Sequence, residues 1–188
     1  QSAPKSKGTR TRMNKILPVT LVTLMSATPA FAGNTLQDHE ALRATLSEAG
    51  VVTLVNTEDC EPDVDGYYWS EGKTLVVCQD NSRANGPLVA WTANDLDTFR
   101  HEAHHVVQDC LVGGVGDNAS GLYFETVAEL KEFLEKSTLT GEQIKKIIEV
   151  YQEDGVSDKA ILEELEAFAV ARDVNASSIS NAVKTFCF

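Results

Sequence analysis

The sequence predicts an α+β fold: a short three-stranded sheet in the first half, a long helix carrying an H-E-x-x-H motif after it, and a mainly helical C-terminal half. Three observations carry that expectation. The runs at 51–55, 66–69 and 74–77 are rich in β-branched and aromatic residues, as strands are. Residues 93–111 repeat apolar side chains at helical spacing. From Gly121 onward the chain reads as successive helices, without internal repeats or low-complexity tracts.

In chain order, residues 36–49 have helical periodicity and stop at Gly50. Residues 51–55 follow as a short buried strand, β-branched and bounded by Gly50 and Asn56. After the acidic stretch 58–65, the runs 66–69 and 74–77 flank Glu71, Gly72 and Lys73, a hairpin signature with its turn at Gly72. Thr92 places an N-cap hydroxyl three residues before Asp95, which starts a helix over 93–111, and Gly113 and Gly114 end it. Leu96, Phe99, Ala103, Val106, Val107 and Cys110 form its apolar stripe, with His101, His105 and Gln108 on the opposite face. Further helices are expected over 122–136, 141–151, 158–172 and 177–184. His39, alone among polar neighbours on the first helix, reads as a surface residue.

The first 32 residues hold five Lys or Arg and no acid. Met13, Asn14 and Lys15 give a basic start, 16–25 is mostly apolar, and Ala30, Phe31 and Ala32 form an A-x-A cleavage site, the pattern of a secretory signal peptide. Pro18 and Pro29 bracket an apolar run shorter than the ~20 residues that span a bilayer. Residues 1–32 are therefore read as an upstream segment plus signal peptide and left out of the fold, and 33–188 as one domain. That domain holds 11 basic and 28 acidic residues, a formal charge of −17. Such a surface argues against nucleic acid or, once the signal is removed, membrane as a partner, and fits a secreted or periplasmic protein. The even set Cys60, Cys78, Cys110 and Cys187 favours two disulfides in that setting. Of three possible pairings, Cys60 with Cys78 would close the hairpin region, and Cys110 with Cys187 would tie the motif helix to the C-terminus.

His101, Glu102, Ala103, His104 and His105 form the H-E-x-x-H motif. Two imidazoles one helical turn apart can grip a metal while the carboxylate between them handles a proton. A catalytic zinc takes three protein ligands, so a third is needed, and no histidine follows His105. Glu166 projects from the middle of the stripe Leu162, Leu165, Ala169 and Val170, where a carboxylate is costly unless a charge compensates it. It is the expected third ligand, with Glu163 next and Glu164 pointing nearly opposite. Asp173, two turns on, could hydrogen-bond a ligand histidine.

The motif at 101–105, followed some sixty residues later by a helix carrying Glu166, resembles the gluzincin branch of the zincin metallopeptidases over residues 51–173. It departs from the thermolysin-like pattern, in which an acid stands four residues after the ligand glutamate; Val170 stands there. The resemblance implies a zincin-like domain with one catalytic zinc held by His101, His105 and Glu166. It further implies hydrolysis of a peptide or protein substrate by a zinc-activated water, with Glu102 as general base. An edge strand would receive the extended substrate, and 66–70 is the candidate, with Tyr67, Tyr68 and Trp69 either touching substrate or packing. His104, Tyr123, Tyr151 and Arg172 are open choices for oxyanion stabilisation. The alternative is a non-enzymatic module that the same zinc staples.

Overall fold

A computed structural model describes residues 11–14 and 34–188. The leader expected over 16–25 and its cleavage site at 30–32 lie outside those residues. The elements in chain order are β1 (Thr11–Asn14), α1 (Leu36–Glu48), β2 (Val52–Val55), β3 (Val64–Trp69), β4 (Thr74–Val77), α2 (Ala93–Cys110), α3 (Val127–Lys136), α4 (Gly141–Glu153), α5 (Asp158–Asp173) and α6 (Ala176–Phe186). This is the α+β arrangement the sequence predicts.

The hairpin β3–β4 is antiparallel, with Gly66 opposite Val77 and Trp69 opposite Thr74. The left-handed residue in its turn is Lys73, at φ 48°, rather than Gly72. Gly72 is needed for space instead, since a Cβ there would meet the Trp69 ring at 2.2 Å. β2 runs parallel to β4. It was expected to be buried, yet Val52 and Leu54 are exposed, because β2 is the outermost strand and only one of its edges is paired. On the other side β1 pairs antiparallel with β3, giving the order β1-β3-β4-β2. The sequence reading left residues 1–12 and the signal segment out of the fold. Thr11–Asn14 nevertheless takes this place because an unpaired sheet edge offers N–H and C=O groups to any extended segment.

α2 starts as expected: the Thr92 hydroxyl accepts the Asp95 N–H at 3.0 Å, and the Asp95 carboxylate accepts the Thr92 N–H at 2.8 Å. Its apolar stripe packs on Leu42 and Leu46 of α1, Tyr68, Leu75 and Val77 of the sheet, and Ile179 and Val183 of α6. Gly66 permits the close approach of α2 to β3, as a Cβ there would lie 2.6 Å from Thr98 Cγ2 and 3.3 Å from Glu102 Cγ. The opposite, polar face of α2 lies against α5. α5 in turn packs its far side on α4, where Ile147, Tyr151, Ile161, Leu165 and Phe168 form a second core. Both α2 and α5 are therefore buried nearly all round through their central turns.

Cys60 bonds Cys78, and Cys110 bonds Cys187, the pairing expected. They close loops 18 and 77 residues apart, which by chain entropy stabilises the fold by roughly 3 and 4.5 kcal/mol. Two disulfides suit an oxidising, extracellular environment. Two expectations are corrected here. Residues 122–126 are not helical, because the backbone N–H groups of Tyr123 and Phe124 turn to the Glu166 carboxylate and Thr126 caps α3. His39 is buried, bonded to Thr35 O at 2.7 Å and to Arg100 Nη1 at 2.7 Å. Arg100 also donates to Ala171 O at 2.8 Å, so one guanidinium ties α1, α2 and α5 together.

Candidate metal centre

One turn of α2 separates His101 from His105, and their Nε2 atoms lie 3.0 Å apart. Donors about 2.0–2.1 Å from a tetrahedral metal would stand about 3.3 Å apart, so the pair needs only a few tenths of an ångström to accept one. Glu102, His101 and His105 each offer a ligand atom within 4.8 Å of the others, all three buried. Such a group could hold a metal ion. Several of its buried polar atoms lack a side-chain hydrogen bond: both oxygens of Glu102 and Nδ1 of His101. Groups this dry are costly unless something satisfies them. The donor set therefore fits a cation.

The third donor brought to the histidines is Glu164. Its Oε2 lies 3.2 Å from His101 Nε2 and its Oε1 lies 3.5 Å from His105 Nε2. Tyr151 donates to Oε2 at 2.8 Å, which leaves Oε1 facing the histidines alone. Glu166, the expected ligand, is placed elsewhere: it accepts from Gln108 at 3.0 Å and from the Tyr123 N–H at 3.0 Å, with His104 Nε2 at 2.6 Å. Glu163 faces Ser120 and Lys159. The reason is the burial of α5 on two faces. A helical wheel with one buried stripe sends Glu164 to solvent, whereas here that face also meets protein, and Glu164 is 1% exposed. The contiguous apolar run Ala167–Ala171 was the signal for it, since a helix apolar all round is buried all round.

Gln108 orients His105. Its Nε2 donates to Glu163 O and Glu166 Oε1, both at 3.0 Å, so its Oε1 faces His105 Nδ1 at 2.7 Å and accepts from it. With its proton on Nδ1, His105 would present Nε2 to a metal on the side of His101 and Glu164. Asp173, expected in this orienting role, instead accepts the Thr138 N–H at 2.9 Å. Two of the oxyanion candidates have their donors engaged and two lie at the surface. His104 is held by Glu166, Tyr151 donates to Glu164, Arg172 is exposed, and the Tyr123 ring is 45% exposed. Tyr67 and Tyr68 are buried and pack within the sheet and core, while Trp69 is partly buried.

Electrostatics of the metal-free cluster follow from burial and from Glu164. Burial pushes His101 down to about 4. It would push His105 down as well, but the Glu164 charge outweighs it and raises His105 to about 9. Burial raises the Glu164 carboxyl too, yet the histidines hold it below the ordinary carboxylate range. Glu102 is driven by burial up to about 8. His105 and Glu102 thus bind protons more tightly folded than unfolded. Each contributes stability present in full below its unfolded pKa and lost as pH rises through its folded one. The chelator-treated protein is expected to lose melting temperature between about pH 6.5 and 9. A metal that displaces the His105 proton should flatten that slope. Calorimetric melts across pH 6–9.5 check this, and a flat or rising profile for chelator-treated protein contradicts the pairing.

A cleft of about 240 Å³ reaches the cluster, with His105 and Glu164 in its wall beside Tyr68, Asp109, Ser120 and Lys159. Across residues 31–188 the chain matches the family described as Domain of unknown function (DUF8637), and it belongs to that family. No curated protein and no solved structure matches it.

Proposed function

We propose that this DUF8637 protein is an exported zinc-dependent peptidase, with His101, His105 and Glu164 holding the metal and Glu102 as general base. The observation that carries the reading is Glu102: a fully buried carboxylate with no side-chain hydrogen-bond partner, within 4.8 Å of both histidine donors. A carboxylate kept dry and unpaired beside metal donors is poised to take a proton.

When bound, zinc supplies a Lewis acid that lowers the pKa of a water and polarises a peptide carbonyl. Glu102 accepts the proton of the attacking water and returns it to the leaving amine. Tyr151 fixes Glu164, and Gln108 fixes His105, so the donor set does not have to reorganise during turnover. The outer edge of β3 holds the substrate backbone as an added strand, in the place that Thr11–Asn14 takes.

Complete burial of the donors also favours a second reading, a zinc-stapled binding module. Against it stand the cleft in contact with His105 and Glu164, and Glu102, for which a structural site has no use. Elemental analysis of the purified protein should find one zinc per chain. Hydrolysis of a mixed peptide library should vanish with a chelator and return with added zinc. Zinc-loaded protein that cleaves no peptide selects the module, and metal-free protein that cleaves as fast removes the metal from the reaction.

A further inference from the structure

Asp109 stands one helical turn beyond His105 on α2 and lines the same cleft, yet no step above uses it. It is 1% exposed. One of its oxygens, Oδ2, is an acceptor for three donors: the Tyr68 hydroxyl at 2.7 Å, the Ser70 hydroxyl at 2.8 Å and the Gly116 N–H at 3.0 Å. The other, Oδ1, is buried with no partner. A carboxylate clamped so firmly on one side cannot rotate to satisfy the other, and a buried acceptor left unpaired is costly.

Charge decides what would satisfy it. Of the carboxylates in the cleft wall, Glu163 has Lys159 at 2.8 Å, and Glu164 has the two histidines or the metal they would share. Asp109 is the one with no ion pair among the described residues. A single free carboxylate oxygen offers too few ligands for a divalent ion, which takes six or more oxygens or a full tetrahedral set. It matches one organic cation, held by a charge-assisted hydrogen bond. The cleft is smaller than the roughly 300–1,000 Å³ of sites that enclose whole ligands, and so is sized for one side chain.

We infer that the Asp109 cleft is a specificity pocket that receives the guanidinium or ammonium group of a substrate residue next to the scissile bond. The pocket rests on the peptidase reading for its role, and on Asp109 alone for its ligand.

The test uses butylguanidinium, butylammonium and the neutral isostere butylurea, titrated into the zinc-loaded full chain by calorimetry. The cations should bind at least 10-fold more tightly than butylurea. Asp109→Asn keeps an acceptor for Tyr68, Ser70 and Gly116 and should erase that preference, a loss of roughly 10-fold to 150-fold in cation affinity. Ala119→Phe, which crowds the cleft and leaves the Asp109 carboxylate in the chain, should block all three probes and serves if the Asn variant does not fold. In parallel, peptides with Arg or Lys should be cleaved faster than their norleucine counterparts by the parent and not by the Asn variant. Equal binding of cation and urea by the parent overturns the pocket, as does unchanged selectivity in Asp109→Asn. Charge-selective binding lost in the Asn variant, in a protein that cleaves no peptide, upholds the pocket and removes the peptidase reading.

Discussion

Glu102→Gln is expected to bind zinc as the parent does and to hydrolyse peptide 10²-fold to 10⁴-fold more slowly, the range for a lost general base. The substitution keeps the size of the side chain, so the close approach of Glu102 Cγ to Gly66, where an added Cβ would lie 3.3 Å away, is undisturbed. In the metal-free protein it also removes a group whose pKa burial drives up to about 8, so the chelator-treated variant should be at least as stable as the chelator-treated parent at neutral pH and above. The loss should therefore appear in kcat with melting temperature and zinc content intact. A bound dication favours the ionised carboxylate, which is the form that accepts a proton. A Gln variant that cleaves as fast as a hydrolysing parent would leave Glu102 without the role assigned to it.

Glu164→Ala is expected to abolish tight zinc binding, whereas Glu166→Gln should weaken it by 10-fold to 100-fold at most. Glu164 sets its two oxygens 3.2 and 3.5 Å from the histidine Nε2 atoms, so its removal takes away one donor of three. Glu166 reaches the cluster only through Gln108, which it holds at 3.0 Å, and outer partners of this kind typically matter by that smaller factor. Competition with a chromophoric chelator measures both affinities on one scale. His101→Ala and His105→Ala should match Glu164→Ala, and Glu163→Gln should match the parent, because Glu163 faces Ser120 and Lys159. Should Glu166→Gln empty the site while Glu164→Ala retains the metal, the sequence-based choice of Glu166 is restored and the placement of Glu164 is wrong.

How much of this was legible in the chain differs by length scale. Thr92 and Asp95 and Thr74–Val77 act over a few residues, and the even cysteine count acts through redox chemistry, so α2, β4 and the number of disulfides could be read from the chain, with the observed pairing favoured among three. The alignment of His101 with His105 is a property of a single helix and needed no partner to be seen. Five features depended on what the elements pack against: Glu164 rather than Glu166 beside the histidines, Gln108 rather than Asp173 behind His105, the burial of His39, the loop at 122–126, and the carboxylate of Asp109 clamped beside the cleft. A helical wheel sorts side chains by direction. It carries no information about how many directions are covered. α5 lies between α2 and α4, so two of its faces are interior, and the carboxylate that reaches the histidines sits on the face a single-stripe reading sends to solvent. The sequence by itself determined most of the elements, the presence of two disulfides and two aligned metal-ligand side chains. Only the tertiary structure decided which acid meets them, because that depends on the docking of two helices whose contacting residues lie some sixty positions apart.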